Sequence, residues 1–388
     1  MDGPASTAAR FRLDRKRSSG TRGPHVLVHG DHRHALPWFA KTFDGRVKLA
    51  YLDPPFNTGR AFREYSDTTD EWADEFSRCL EGTVPLLRED ATVVIHIDEH
   101  ELVNALSVAD RVLGRKNRAS IVTLVRSAAT GHKARNRGVV NVADYLLVYA
   151  ANRKAWRPNM LTQTRSEYDW AYGTAIENID AAPSKWQFVT LRAYFGALPR
   201  DELAARAIAN AERIIRFAQP RFDAVGKRTQ EWILRSQKNP TRVYRLERPG
   251  YSDMWLRGGN RILFLRDKIT ERGGKRVLVE PLTNVWTDIP FQGIAREGGV
   301  RFERNKKPER LMARLLEWVT SAGDIVLDPY LGSGTTAAVC MKMGRVVYGI
   351  ERGAHFDSLI APRLVRTLSE VGDLRTDGFS VYEEQSGT

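Results

Sequence analysis

Two short segments of this chain combine residue types that can grip a nucleotide base and an adenosine. The first is Asp53, Pro54, Pro55, Phe56, Asn57, Thr58 and Gly59, directly after the apolar run 47–52. The two prolines donate no N–H and fix φ, so the Asp53 carboxylate and the Pro54 carbonyl can be held as a rigid pair of acceptors. Two acceptors match the two N–H groups of an exocyclic amine. The Phe56 ring beside them offers a face for a base, worth about 1–3 kcal/mol per stacked base. A proline-stiffened strand exit would explain Pro54 and Pro55, but it would not require the acid before them or the aromatic after.

The second segment runs over 327–336 as LDPYLGSGTT, between a predicted strand and a predicted helix. Gly332 and Gly334 allow a tight turn that brings backbone N–H groups close to a ligand, and with Ala337 they fit G-x-G-x-x-G/A. Glu351 closes the next predicted strand, where a carboxylate can accept ribose hydroxyls. The loop alone does not separate a nicotinamide dinucleotide from S-adenosylmethionine, since both carry an adenosine ribose. A nicotinamide oxidoreductase would account for this loop and leave Asp53 to Phe56 unexplained.

Both loops need strands to carry them. Continuous apolar runs at VLVHGD, VKLAYLDPP, VVIHID, IVTLV and ADYLLVYA alternate with helical stretches, the grammar of buried, mostly parallel strands. It resumes at Lys307 with KPERLMARLLEWV as a helix, DIVLDP as a strand, TTAAVCMKMG as a helix and RVVYGIE as a strand. Between these halves, 201–218 carries apolar residues on one helical face up to Pro220, and then Pro240, Pro249 and two glycine pairs break the chain into short strands and turns. The expected divisions are a disordered basic arm at 1–24, one half of an α/β domain at 25–155, an insertion at 156–285, the second half at 286–372 and a tail at 373–388, with Glu383 and Glu384 solvated.

The 388 residues hold 60 Lys and Arg against 47 Asp and Glu, a formal charge of +13. Residues 1–24 contribute +4 and residues 221–276 contribute +9, so the remainder is neutral overall. Such concentration points to a polyanionic partner. Arg228, Arg235, Lys238, Arg242, Arg245, Arg257 and Arg261 interleave with Trp232, Tyr244, Tyr251 and Trp255 in the second region, a composition suited to phosphates and bases of DNA. Only Cys79 and Cys340 are present, too few for a disulfide framework, and no apolar run suffices to cross a bilayer. A reducing, cytoplasmic and nucleoid-associated setting without a membrane partner is expected. His29, His32 and His34 around Asp31 lack a fourth ligand at matching spacing, so no metal is expected.

With these residues in view, the sequence resembles the β-class amino methyltransferases of DNA, and within them the Mod subunits of type III restriction-modification systems. The resemblance covers most of 26–155 and 275–355, through HGDHRHAL, VKLAYLDPPFNTG, EWADEFSRCL, VVIHIDEHEL and VNVADYLLVYA, then WTDI, EGGVRF, KKPERLMARLLEW and VLDPYLGSGTT. It implies a doubly wound, mostly parallel α/β sheet of the S-adenosylmethionine-dependent methyltransferase fold, with an inserted target-recognition module. By this likeness Asp53 and the Pro54 carbonyl, within the set Asp53, Pro54, Pro55 and Phe56, bind the target amine while Phe56 stacks on a base flipped out of double-stranded DNA. Asp328, Tyr330, Gly332, Gly334 and Thr335 surround S-adenosylmethionine, Glu351 takes its ribose and Asp31 lies near its adenine. Aspartate in first place is the form usual for adenine N6; cytosine N4 remains the alternative, as does a DNA-binding, non-catalytic part of a defence complex. The same likeness implies a homodimer and a restriction or defence-system partner. The chain departs from the family at Tyr330, where Phe is frequent, at His32, where Asn is frequent, and in being shorter than typical Mod subunits.

Overall fold

The computed structural model describes residues 10–19, 23–43, 45–56, 71–128, 138–302, 306–371 and 378–385. Asn57, Thr58 and Gly59 of the first loop lie outside them. The chain forms two compact units, residues 1–160 with 283–388, and residues 161–282.

The first unit is built on a ten-stranded sheet in the order Arg10–Ser19, Phe379–Gln385, His25–His29, Val346–Glu351, Ile325–Asp328, Val47–Leu52, Leu87–Ile97, Ala143–Ala150, Arg118–Val125, Val285–Trp286. From Phe379–Gln385 through Leu87–Ile97 every neighbour is parallel. Ala143–Ala150 runs antiparallel to both of its neighbours. Parallel strands buried on both faces need continuous apolar runs, and these provide them. Val93, Ile95 and Ile97 face a core filled by Leu36, Phe39, Phe76, Leu80 and Ala105 from the helices His32–Phe43, Trp72–Thr83 and Leu102–Ala109. Helices Glu309–Val319, Thr335–Lys342 and Ala361–Val371 form the second layer. The doubly wound sheet expected from the sequence is the one observed. No helix among the described residues is long and apolar enough to cross a membrane.

Both ends of the chain differ from expectation. Arg10–Ser19 is a strand, paired antiparallel with Phe379–Gln385, where an arm and a tail were expected. The reason is local: Phe11 packs on Trp38 at 5.0 Å, and Val381 and Phe379 are buried. Glu383 is engaged by Arg17 and His29, and Glu384 accepts the Asp31 N–H at 2.7 Å, so neither is a solvated terminal charge.

The second unit holds a six-stranded sheet in the order Val243–Leu246, Met254–Arg257, Asn260–Phe264, Ile214–Ala218, Thr174–Ile176, Phe188–Thr190, and a three-stranded sheet of Ile269–Arg272, Lys275–Pro281 and Thr162–Thr164. The single helix expected over 201–218 is instead the helix Arg200–Ala209 followed by the strand Ile214–Ala218. The β-branched pair Ile214 and Ile215 is buried, and the strand pairs with Asn260–Phe264; such pairing overrides a helical spacing of apolar residues. The unit's boundaries at 161 and 282 fall inside the 156–285 segment inferred above.

If the terminal strand is a packed element, Val381→Ala removes buried methyls and destabilises the protein by about 2 kcal/mol. Urea denaturation measures this. A loss indistinguishable from zero would return 378–385 to the status of a tail.

Candidate active site

The sheet order sets three acids side by side. Asp328 ends one strand, Glu351 ends its neighbour on one side, and Asp53 follows Val47–Leu52 on the other. Asp53 and Asp328, 275 residues apart in sequence, thus meet at the carboxyl ends of adjacent parallel strands, where open α/β sheets bind ligands. Asp53, Pro54, Pro55, Phe56, Asp328, Tyr330, Gly332, Thr335 and Glu351 all line one cleft of about 1200 Å³, counted out to its open mouth.

The glycine loop is organised around carboxylates. Glu351 accepts the Gly332 N–H at 2.8 Å on one oxygen and the Gly353 N–H at 2.7 Å on the other. Asp328 accepts the Tyr330 N–H at 3.0 Å. Leu331 N–H goes to the Ile350 carbonyl and Gly334 N–H to the Leu331 carbonyl. Gly332 sits at φ +54° and Gly334 at φ +74°, so the turn favours glycine at both. Arg363, fully buried, closes the loop from behind by donating to the Ser333 carbonyl at 2.9 Å and to Thr335 Oγ1 at 3.0 Å, with Glu309 as its counter-ion at 2.9 Å.

Burial shapes the charges here. Desolvation pushes the Asp328 carboxyl up to about 7, with Asp53 and Glu351 adding to the rise and the Thr336 and Tyr330 hydrogen bonds opposing it. Burial likewise brings His32, which lines the cleft against the Tyr330 ring at 5.1 Å, down to about 4. It is neutral at physiological pH.

The loop from Asp53 to Phe56 has a different character. The Trp72 indole N–H donates to the Pro55 carbonyl at 2.6 Å, which engages that carbonyl and pins the loop. Behind Phe56, at 5.8 Å between rings, lies the buried His96. Its Nε2 is 3.1 Å from Asp144 and its Nδ1 is 2.8 Å from the Tyr51 hydroxyl. Desolvation lowers its pKa, so the ring is neutral: Nε2–H donates to Asp144, and Nδ1 accepts from Tyr51. Lys307 completes the group, with Nζ 2.7 Å from Asp53 Oδ2 and 4.8 Å from the centre of the Phe56 ring. Asp53 Oδ1 is buried without a hydrogen-bond partner among the described residues.

Not every residue singled out from the sequence lines the cleft. Asp31 does not: Arg33 takes its carboxylate at 3.0 and 2.7 Å, and its neighbours Gly30 and His32 line the cleft instead. Gly334 shapes the turn without lining it. Phe56 is 7 % exposed, with an ammonium over its ring, and so is not an open stacking platform in this state. Sequence reasoning assigned no role to Lys307, Trp72, His96 or Arg363. A Lys-Lys-Pro run opening a helix was the available signal for the first.

In the second unit the seven basic residues do not gather on one face. The helix Lys227–Lys238 carries Arg228, Arg235 and Lys238 and packs through Ile233 on Tyr244, Leu246, Met254 and Leu256. Arg261 is in register with Leu256 and shares that face of the sheet. Arg242 lies over the Tyr244 ring at 5.4 Å. Arg245 and Arg257, in register with Trp255 and Val243, stand on the opposite face. There Arg245 pairs with Asp253 at 2.5 Å, and Arg257 stacks on Phe188 at 4.7 Å.

A glycine turn and a row of acids at the carboxyl edge of a doubly wound sheet are the arrangement with which α/β proteins of this class bind nucleosides. The sequence also matches a family model described as DNA methylase, of the N6/N4 methyltransferase type, over residues 47–362. The chain belongs to that family. It is 24 % identical over 392 residues to a protein of Haemophilus influenzae described as a type III restriction-modification enzyme HindVI Mod subunit, covering 91 % of this chain and 52 % of that one. It is 26 % identical over 193 residues to the EcoP15I Mod subunit of Escherichia coli, covering 40 % of this chain and 29 % of that one. It therefore spans about half, or less, of the length of these relatives. Among solved structures, PvuII DNA methyltransferase (cytosine-N4-specific) superposes with a TM-score of 0.46 at 11 % identity, covering 94 % of this chain and 98 % of that one.

The raised Asp328 carboxyl has a consequence for stability. An acid held protonated to about pH 7 in the fold but released near pH 4 in the unfolded chain contributes fully below pH 4, and that contribution is lost as pH rises towards 7. Asp328→Asn cannot ionise. Relative to wild type it therefore gains about 2 kcal/mol between pH 5 and 7, measurable by urea denaturation at each pH. A difference that stays constant would mean that the carboxyl is already ionised at pH 5.

Proposed function

We propose that this chain is the catalytic portion of a DNA methyltransferase that moves a methyl group from S-adenosylmethionine to the N6 amine of an adenine flipped out of double-stranded DNA. The observation that carries this reading is the Asp53 carboxylate. One oxygen is buried without a hydrogen-bond partner among the described residues, and Asp53 and Pro54 line the same cleft as the glycine loop. Most buried polar groups are hydrogen-bonded, and an open acceptor in a cleft is placed to take a ligand's donor.

The donor set fits a sulfonium cofactor better than a dinucleotide. The Gly332 and Tyr330 N–H groups are spent on Glu351 and Asp328 and are not offered to a pyrophosphate. Glu351 keeps lone pairs for two ribose hydroxyls. Asp328 stands where a positive charge would favour its ionised form. Tyr330 and Thr335 would complete the walls. Bound there, S-adenosylmethionine would supply an electrophilic methyl on a positively charged sulfur that leaves as a neutral thioether.

The protein's task is to make the amine a nucleophile. In adenine the N6 lone pair is delocalised into the ring. Hydrogen bonds from its two N–H groups to Asp53 Oδ1 and the Pro54 carbonyl favour the pyramidal state, with the lone pair directed away from the ring. As the new C–N bond forms and the methyl–sulfur bond breaks, N6 loses one proton, which passes to solvent water, and the product amine is neutral. Holding the reacting atoms in line supplies most of the remaining acceleration. Phe56 would stack on the base, and the cationic residues of the second unit would hold the duplex. As the resemblance implies, the protein would work as a homodimer beside a restriction or defence partner; the relatives' names as Mod subunits support that setting.

Sequencing DNA from cells that express the wild type or Asp53→Ala, with a modification-sensitive single-molecule method, tests this. N6-methyladenine in a defined motif is expected with the wild type alone. Methyl transfer should fall by at least about 100-fold in the variant, with cofactor binding retained. N4-methylcytosine would move the reading to cytosine, and no modification in either sample would move it to a DNA-binding component without turnover.

A further inference from the structure

The ion pair between Lys307 and Asp53 is more than charge balance. An unpaired carboxylate can rotate and presents two equivalent oxygens, each with lone pairs in its plane. An amine docking on it would have several nearly equal poses. With Nζ held 2.7 Å from Oδ2, that oxygen is taken, and Oδ1 is left as the acceptor without a hydrogen-bond partner among the described residues. The same ammonium lies 4.8 Å from the centre of the Phe56 ring, where a cation–π attraction fixes the ring plane. One side chain thus sets both surfaces that would meet the base.

The backbone leaves that side chain little choice. The preceding Lys306 ammonium is capped by the carbonyls of Ala295 at 3.3 Å, Glu297 at 2.5 Å and Val300 at 2.9 Å. The following Pro308 opens the helix Glu309–Val319, whose first residue is bound by Arg363 and Lys342 at 2.9 and 2.8 Å. Lys307 is held from both sides, and its own side chain is 9 % exposed. Asp53 stands close enough to Asp328 to raise its pKa, so a cation at this point also offsets the repulsion between the two acids.

We propose that Lys307 is the positioning residue of the target-amine site: it orients Asp53 so that a single oxygen faces the amine, and it sets the plane of Phe56. This rests on the methyltransferase reading above. Lys307 acts through Asp53 and Phe56, and its loss should therefore slow transfer without weakening the cofactor.

The test is steady-state methyl transfer to a duplex carrying the modified motif, with S-adenosylmethionine binding measured by calorimetry, for the wild type, Lys307→Met and Lys307→Arg. Expected are a fall in kcat of about 100-fold for Lys307→Met, a cofactor Kd within about twofold of wild type, and partial recovery in Lys307→Arg, which restores the cation. Lys307→Gln replaces the methionine variant if that one does not fold. Three results would overturn the proposal: wild-type turnover in Lys307→Met; faster turnover, which would make Lys307 an occupant of the amine's place; or loss of cofactor binding in a folded variant, which would make it a cofactor contact. A wild type that transfers no methyl would remove the functional reading and this inference with it, whereas an active wild type with an equally active variant removes the inference alone.

Discussion

Three carboxylates on three adjacent strands are the constraint around which the rest of this site is arranged. Neighbouring strands lie about 4.8 Å apart, and like charges so close in a desolvated cleft repel strongly. Each acid is therefore met by its own compensation. Glu351 sits between two glycine N–H groups, Asp328 takes a backbone N–H and rises towards neutrality, and Asp53 faces an ammonium. The turn at Gly332 exists in a form that only such an arrangement requires, since its N–H must point back at Glu351. Arg363 then fixes the loop from the far side through Ser333 and Thr335, its own charge balanced by Glu309. Removing any one acid would leave the others with a geometry built for its presence.

The strands and both loops were legible in the sequence because their signals are local: an apolar run of five or six residues followed by prolines or glycines declares a buried strand and its exit. The doubly wound sheet follows from those runs. What could not be read was pairing across long separations. Lys307 meets Asp53 only after the sheet has brought the two halves together, and Arg363 meets Glu309 across 54 residues of the second half. The pairing of Arg10–Ser19 with Phe379–Gln385 joins the two ends of the chain, and a string of arginines with a single Phe11 and Leu13 reads as an arm until a partner strand covers it.

The misreading of 201–218 has a different physical origin. The apolar spacing there suits a helix, but after Ala209 the β-branched Ile214 and Ile215 find two strands to pair with, Asn260–Phe264 and Thr174–Ile176. Tertiary pairing decided the outcome. The same sheet divides the basic residues, because alternation along Val243–Leu246 sends Tyr244 to one face and Arg245 to the other. A cluster in sequence was not a cluster in space.

The second unit begins and ends at one place: the Leu282 N–H donates to the Leu161 carbonyl at 2.9 Å. A segment whose ends are tied together can lengthen, shrink or be exchanged without shifting the strands on either side of it. The two units can then change at different rates within a lineage. A graft of a foreign segment at this clasp would exchange the second unit and leave the acid row intact.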